Sequence, residues 1–340
     1  MCKSLGSRKA ILLFASFKDL PADPSIFNEW EKNLIPSTEK QLKAMSYGRY
    51  EIHIDYDKTF IEVPHSIKEY NLRIAHDASN VSEARIPALV EDSMSAADSV
   101  IDFSKYDFVI VATPSSTEIM LGGTIGLNKV ADGKIFESAI FTPYSETQNA
   151  DNYKHISLMH NVGHVLGLMH GFIPDFSNNT RPSAWDVMWN FAAQNDFMGW
   201  NQWKLGWISD NQVICLFSPN QKIVEELTPI GKKDEGHKLS IIKLNDYQAL
   251  AIELREKTPF DFIPPGQEGV IVYLVDTSKG ANSGAFTMVS KPNEILRVGP
   301  GFEATLGTLS EGESVLIKDY QIKVSSYKKG KAFVEITYAK

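Results

Sequence analysis

Cysteine is almost absent: Cys2 and Cys215 are the only two in 340 residues. They exclude a disulfide framework, and neither belongs to a metal-spaced thiol pair, so an apolar core must carry the fold. No apolar run approaches the ~20 residues that a membrane-spanning helix needs. Positive charge is also in deficit, with a net charge of −8. That leaves no broad basic footprint and argues against nucleic acid as a partner. The glycines at 122–126 sit in neither a Gly-Lys-Ser/Thr nor a Gly-x-Gly-x-x-Gly pattern, which excludes a phosphate-cradling loop and leaves an ordinary one. Internal repeats and low-complexity segments are missing as well. The apolar run at 10–17 is too short for a signal peptide, has no Ala-x-Ala site and meets Lys18 and Asp19 at once; it reads as a buried first strand.

What is present is an ordinary globular composition, 43% apolar over a length that favours two domains. Residues 25–45 carry Phe27, Trp30, Leu34, Leu42 and Met45 with Pro36 between them, which predicts two helices split near the proline. At 50–56 apolar and polar residues alternate as in a half-buried strand. The stretch 70–100 reads as mostly helical with a break at Pro87, and 106–112 is a β-branched run fit for a central strand. Beyond about 212 the character changes. Short β-type runs at 213–217, 223–227, 239–244, 249–254, 270–275, 286–289, 314–317, 320–325 and 332–338 are separated by Gly, Pro, Asn and Asp, which argues for an antiparallel sandwich.

The chain is organised around 151–188. His160 and His164 stand four apart on a predicted helix, so both imidazoles project from one face and can bind a single ion. Gly167 lets the chain leave the helix and turn, which brings His170 toward the same ion as a third nitrogen ligand. Asp151 is placed to cap that helix, which runs to about Leu168, and Ile156, Met159, Val162, Gly163 and Leu166 form its apolar stripe. A single histidine is more often a hydrogen-bonded core residue, which is the preferred reading for His155 and His53. Three at this spacing point to metal ligation.

The pattern His-x-x-x-His-x-x-Gly-x-x-His resembles the metzincin signature of zinc peptidases at every position but one: Asn161 stands where that signature has Glu. With the segments at 11–19, 45–48, 184–188, 203–207 and 247–276, the chain more specifically resembles the immune inhibitor A-like zinc metallopeptidases. The resemblance implies an α+β fold: a metzincin-like peptidase domain over 1–210 and an antiparallel β-sandwich over 211–340. It also implies Zn²⁺ on His160, His164 and His170, Met188 in a turn that forms an apolar floor beneath the metal, and a peptide or protein substrate or ligand. It implies secretion too, although no leader is visible in this chain.

Zinc on three imidazoles keeps a fourth position for water and polarises a peptide carbonyl. The usual glutamate takes the proton from that water, whereas the amide of Asn161 can hydrogen-bond but cannot accept and release a proton near neutral pH. The expectation is a zinc metalloendopeptidase scaffold of impaired activity. Two alternatives stand beside it: a catalytically silent pseudopeptidase that binds peptides or proteins, and a structural zinc site closed by a fourth protein ligand. Glu137, Glu146 and Asp186 are candidate substitute carboxylates, though each reads more simply as a solvated surface group.

Overall fold

The computed structural model describes residues 4–72, 85–114, 122–144, 154–172, 183–188, 196–217, 221–259, 266–281, 283–299 and 302–339. The fold is mixed α+β, 21% helix and 40% strand, with several sheets. By internal contact the chain forms two units, Met1–Lys43 with Arg49–Gly167, and Ala44–Gly48 with Leu168–Lys340.

In the first unit all but the last residue of the apolar run at 10–17 lies in β1 (Gly6–Ser16). β1 pairs in parallel with both β2 (Tyr50–Glu62) and β3 (Phe108–Pro114), and β3 with β5 (Lys134–Tyr144). β4 (Gly123–Ala131) runs antiparallel to β5, giving the order β2-β1-β3-β5-β4 with the β-branched strand β3 at the centre. Alternate residues of β1 serve opposite faces. Ile11, Leu13 and Ala15 join Leu89, Val90, Met94 and Ala97 of the helix α3 (Ile86–Ala97), while Phe14 meets the rings of Phe27, Trp30 and Tyr56 edge-on. A strand buried on both faces has no polar alternation, which is why it reads as one continuous apolar run.

Two local expectations are corrected. Residues 25–45 do not split at Pro36: α1 (Ser25–Glu29) passes through a π-turn at Trp30–Leu34 into α2 (Ile35–Met45). The Ile35 N–H donates to the Trp30 carbonyl, five residues back. This wider turn accommodates the proline ring and its missing donor without a break. The helix α3 begins at Ile86, so Pro87 occupies its first turn, where its absent N–H costs nothing. The expected helical residues 73–84 lie outside the described residues. The glycines at 122–126 are not a free loop, since β4 begins at Gly123 and pairs Gly123 with Phe141 and Gly126 with Ser138. Pairing with β5 overrides the low strand propensity of glycine at a sheet edge.

In the second unit the β-type runs become β6 (Val213–Phe217), β7 (Ile223–Leu227), β8 (Leu239–Lys243), β9 (Gln248–Arg255), β10 (Gly269–Asp276) and β11 (Phe286–Met288), then β14 (Ser314–Ile317), β15 (Tyr320–Lys328) and β16 (Lys331–Tyr338). Two short strands that the pattern does not announce, β12 (Leu296–Gly299) and β13 (Phe302–Ala304), pair with each other. A five-stranded sheet, β11-β10-β9-β8-β6, and a four-stranded sheet, β14-β15-β16-β7, contribute to one core. Leu250, Ile252 and Val272 from the first sheet share it with Ile322, Val324, Val334 and Ile336 from the second. Each of these side chains contributes about 1.5–3 kcal/mol by its burial. The sandwich is not wholly antiparallel, because β6 pairs with β8 in parallel.

The opposite face of the five-stranded sheet is covered too. Ala249, Ala251, Ile271 and Tyr273 pack with Phe172, Trp185 and Met198. That packing draws residues after Gly167 into the second unit, so the contact boundary falls at Gly167 where the sequence suggests one near 210. The short helix α5 (Gly199–Lys204) belongs to this unit as well.

Candidate metal centre

α4 (Lys154–Val165) carries the first two histidines. Ile156, Met159 and Val162 are fully buried, and the helix packs against β4 and β5. Asp151, the expected cap, lies outside the described residues. With the stripe fixed inward, His160 and His164 emerge one turn apart. Their Nε2 atoms are 2.9 Å apart, and the rings meet at 87° with centroids separated by 4.5 Å. The helix ends just beyond. Gly167 takes φ +90°, a left-handed conformation that suits glycine, and donates its N–H to the His164 carbonyl at 2.9 Å. The chain then returns His170, so that one ligand nitrogen from each of the three histidines lies within 4.8 Å of the others.

The donor set fits a metal ion. In a tetrahedral shell with Zn–N bonds of about 2.0–2.1 Å, ligand nitrogens stand about 3.3 Å apart, so the His160–His164 pair needs to open only slightly. Imidazole nitrogen also suits copper, nickel and iron, so the set alone does not choose the ion. Among the described residues no fourth His, Cys, Asp or Glu joins the group. His160 is buried, while His164 and His170 are part-exposed.

Asn161 is buried beside the first ligand, and its side chain is committed. Nδ2 donates to the Ser157 carbonyl at 2.9 Å, one turn back. Oδ1 accepts from Thr124 Oγ1 at 3.3 Å, and the same hydroxyl donates to the Asn161 carbonyl at 2.9 Å. Thr124 belongs to β4, so the antiparallel edge strand is tied to the ligand helix at the position where a general base is expected. The sequence reading does not find Thr124, because it assigns 122–126 to a loop.

Neither Glu137 nor Asp186 joins the histidines. Glu137 is exposed on β5, and Glu146 lies outside the described residues. Asp186 is not the surface group the sequence suggests. It is fully buried, and its Oδ1 accepts the N–H of Met188 at 3.1 Å. Burial pushes its carboxyl up to about 7; the Met188 N–H, Arg255 and the Met198 N–H pull the other way, and Glu253 adds to the rise. Met188 is likewise fully buried, in the turn at 183–188. His155, read as a core histidine, is part-buried with Nε2 3.1 Å from Gln41 Oε1, and burial pushes its pKa down to about 4.

A buried ion pair lies in the same unit as Asp186 and escapes the motif reading. Arg255 approaches Glu253 Oε1 through Nε at 2.7 Å and Nη2 at 2.6 Å, both side chains being almost wholly buried. Glu253 Oε2 accepts from Tyr273 Oη at 2.9 Å and from the Gly199 N–H at 2.8 Å. Two charges at i and i+2 on one face of an otherwise apolar strand are the sequence signal for such a pair. The chain matches no protein-family model and no curated protein.

Proposed function

We propose that this chain is a zinc-binding scaffold of the metalloendopeptidase type, similar to the immune inhibitor A-like peptidases, whose hydrolytic power is impaired because Asn161 stands in the general-base position. The observation that carries the reading is the convergence of His160, His164 and His170 with no fourth acidic, thiol or imidazole ligand among the described residues. An open shell of three nitrogens is the arrangement of a catalytic rather than a structural zinc site, and bound zinc there would polarise a peptide carbonyl. In this reading Met188 supplies the apolar floor. β4, the edge strand of its sheet among the described residues and packed beside α4, offers backbone groups to an extended peptide by strand addition.

The hydrogen bonding of Asn161 favours the second reading, a silent pseudopeptidase that holds a peptide or protein without cutting it. Its Nδ2 is engaged by Ser157 and its Oδ1 by Thr124, so neither atom is poised to exchange a proton with water. Zinc analysis of the isolated protein, paired with cleavage of an unfolded protein by the natural chain and by Asn161→Glu, tests both. The expected result is about one zinc per chain, with cleavage weak or undetectable until glutamate is restored. A chain that takes up no zinc when supplied with it ends the scaffold reading; ordinary peptidase rates in the natural sequence end the pseudopeptidase reading.

A further inference from the structure

The turn at 183–188 is fastened at its start by the Ala184 N–H, which donates to the Thr305 carbonyl at 2.8 Å. At its far end Val187 donates to the Asp196 carbonyl at 3.2 Å, and Met188 to the Asp186 carboxylate. Asp186 therefore closes the turn around the methionine. Its other oxygen, Oδ2, is buried and makes no hydrogen bond of ordinary geometry among the described residues, while the Met198 N–H lies near enough to the carboxyl to favour its ionised form.

Asp186, Asp196 and Glu253 are all buried, and among the described residues Arg255 is the one buried guanidinium near them. Glu253 takes most of that charge through two short contacts to one oxygen. Arg255 is otherwise occupied by the Phe197 carbonyl at 3.0 Å and by the Trp185 ring, 5.9 Å from its centre. Tyr273, on β10, faces the pair as a neutral donor. Gly199 has no Cβ, and one placed there would lie 2.3 Å from Glu253 Oε2, so the carboxylate can reach its N–H. Asp186 makes no hydrogen bond to a cation among the described residues, and burying a carboxylate without one is far costlier than keeping it protonated.

We propose that Asp186 is a positioning residue: a neutral carboxylic acid, buried in the same unit as the Glu253–Arg255 pair, whose tie to the Met188 N–H fixes the turn around the methionine. Its bearing on metal binding rests on the reading of Met188 as the floor of the zinc site; the tie itself does not. An acid neutral in the fold but ionised when unfolded stabilises the fold below the unfolded pKa, and that advantage is lost as pH rises through the folded value. The substitution Asp186→Asn would keep the Oδ1 acceptor and remove the ionisable group.

The test uses the full chain and its Asp186→Asn and Asp186→Ala variants, with thermal unfolding of the metal-free proteins from about pH 4.5 to 8. The natural chain is expected to lose melting temperature relative to Asp186→Asn across this range, most of it before about pH 7. Asp186→Ala, without the acceptor, melts lower than Asp186→Asn at every pH. Parallel pH profiles for the natural chain and Asp186→Asn overturn the proposal, as does an Asp186→Asn variant that fails to fold, since a neutral isostere must fit. Zinc titration supplies a second readout. Asp186→Ala should weaken zinc binding by about 10–100-fold while Asp186→Asn leaves it near the natural value, and equal affinity in both variants overturns the positioning role. Absence of zinc binding in all three proteins refutes the metal reading instead, and the unfolding profiles still decide the tie.

Discussion

The N–H of Phe286 donates to the carbonyl of Gly171 at 2.7 Å, and the Phe286 ring occupies the space in which a Cβ on residue 171 would sit. An added methyl would lie 2.2 Å from a ring carbon, closer than any real contact. Phe286 is itself wedged edge-on against Phe172 and Tyr273. The residue that follows His170 is therefore held by β11 through both a hydrogen bond and a ring. Gly171→Ala must displace a packed aromatic or the backbone beside His170, at a cost of about 1–3 kcal/mol. The variant is expected to melt lower and to bind metal more weakly, with Phe286→Leu in the same chain recovering part of both. Metal titration and thermal unfolding of the three proteins check this; metal binding unaltered by Gly171→Ala would show that His170 does not depend on this clamp.

The sequence announces His160, His164 and His170 because helical spacing and an exit glycine are local properties. The inner strands β1 and β3 and most of the sandwich strands are legible for a similar reason: apolar runs record burial. Gly171 is not legible as a packing site, since what makes it necessary is Phe286, more than a hundred residues away in the chain. Thr124 is hidden because glycines disguise an edge strand whose pairing is decided by β5. Pro36 misleads because proline is read against an α-helix, while a π-turn relaxes the clash. Asp186 misleads most, because an acid amid Trp and Val gives no sign that it is buried with a turn amide as its partner.

Asn161 is expected to contribute nothing to turnover. Its amide holds the helix at Ser157 and the edge strand at Thr124, so Asn161→Ala should cleave an unfolded protein no faster and no slower than the natural chain. Asn161→Glu should raise the rate by about 10²–10⁴, the usual contribution of a general base. Loss of the donor to the Ser157 carbonyl should cost either variant about 1 kcal/mol of stability. Initial rates on an unstructured substrate, with and without a chelator, measure the first two expectations. A rate that falls in Asn161→Ala would mean that the amide takes part in the chemistry after all.

The buried setting of His155 gives a second pH dependence, opposite in sign to that of Asp186. Its folded pKa, pushed down to about 4, lies below the ordinary value near 6.5, so the fold holds it neutral. Stability from this source is present above the unfolded pKa and lost as pH falls toward the folded one. Gln41 Oε1, 3.1 Å from Nε2, accepts from the neutral tautomer. His155→Gln should therefore flatten the loss of melting temperature below about pH 6. If the natural chain and the variant lose stability in parallel there, His155 is not held neutral by the fold.

The Glu253–Arg255 pair allows a sharper separation of charge from shape. Removing one member of a buried pair strands the other, and typically costs about 3–5 kcal/mol, whereas neutralising both can cost far less. Arg255→Met should thus be strongly destabilising, because among the described residues Glu253 keeps only the Tyr273 hydroxyl and the Gly199 amide as donors. Glu253→Gln should also destabilise, leaving the guanidinium with the Phe197 carbonyl, Asp196 and the Trp185 ring. The double variant Glu253→Gln with Arg255→Met retains an acceptor for Tyr273 or Gly199 and buries no unpaired charge from this pair. It is expected to be more stable than Arg255→Met alone, with a coupling energy of about 1–3 kcal/mol in a double-mutant cycle. Urea unfolding followed by tryptophan fluorescence measures it, since Trp185 stacks on the guanidinium. Strictly additive losses would mean that the two side chains act independently, and that the unit tolerates either charge alone.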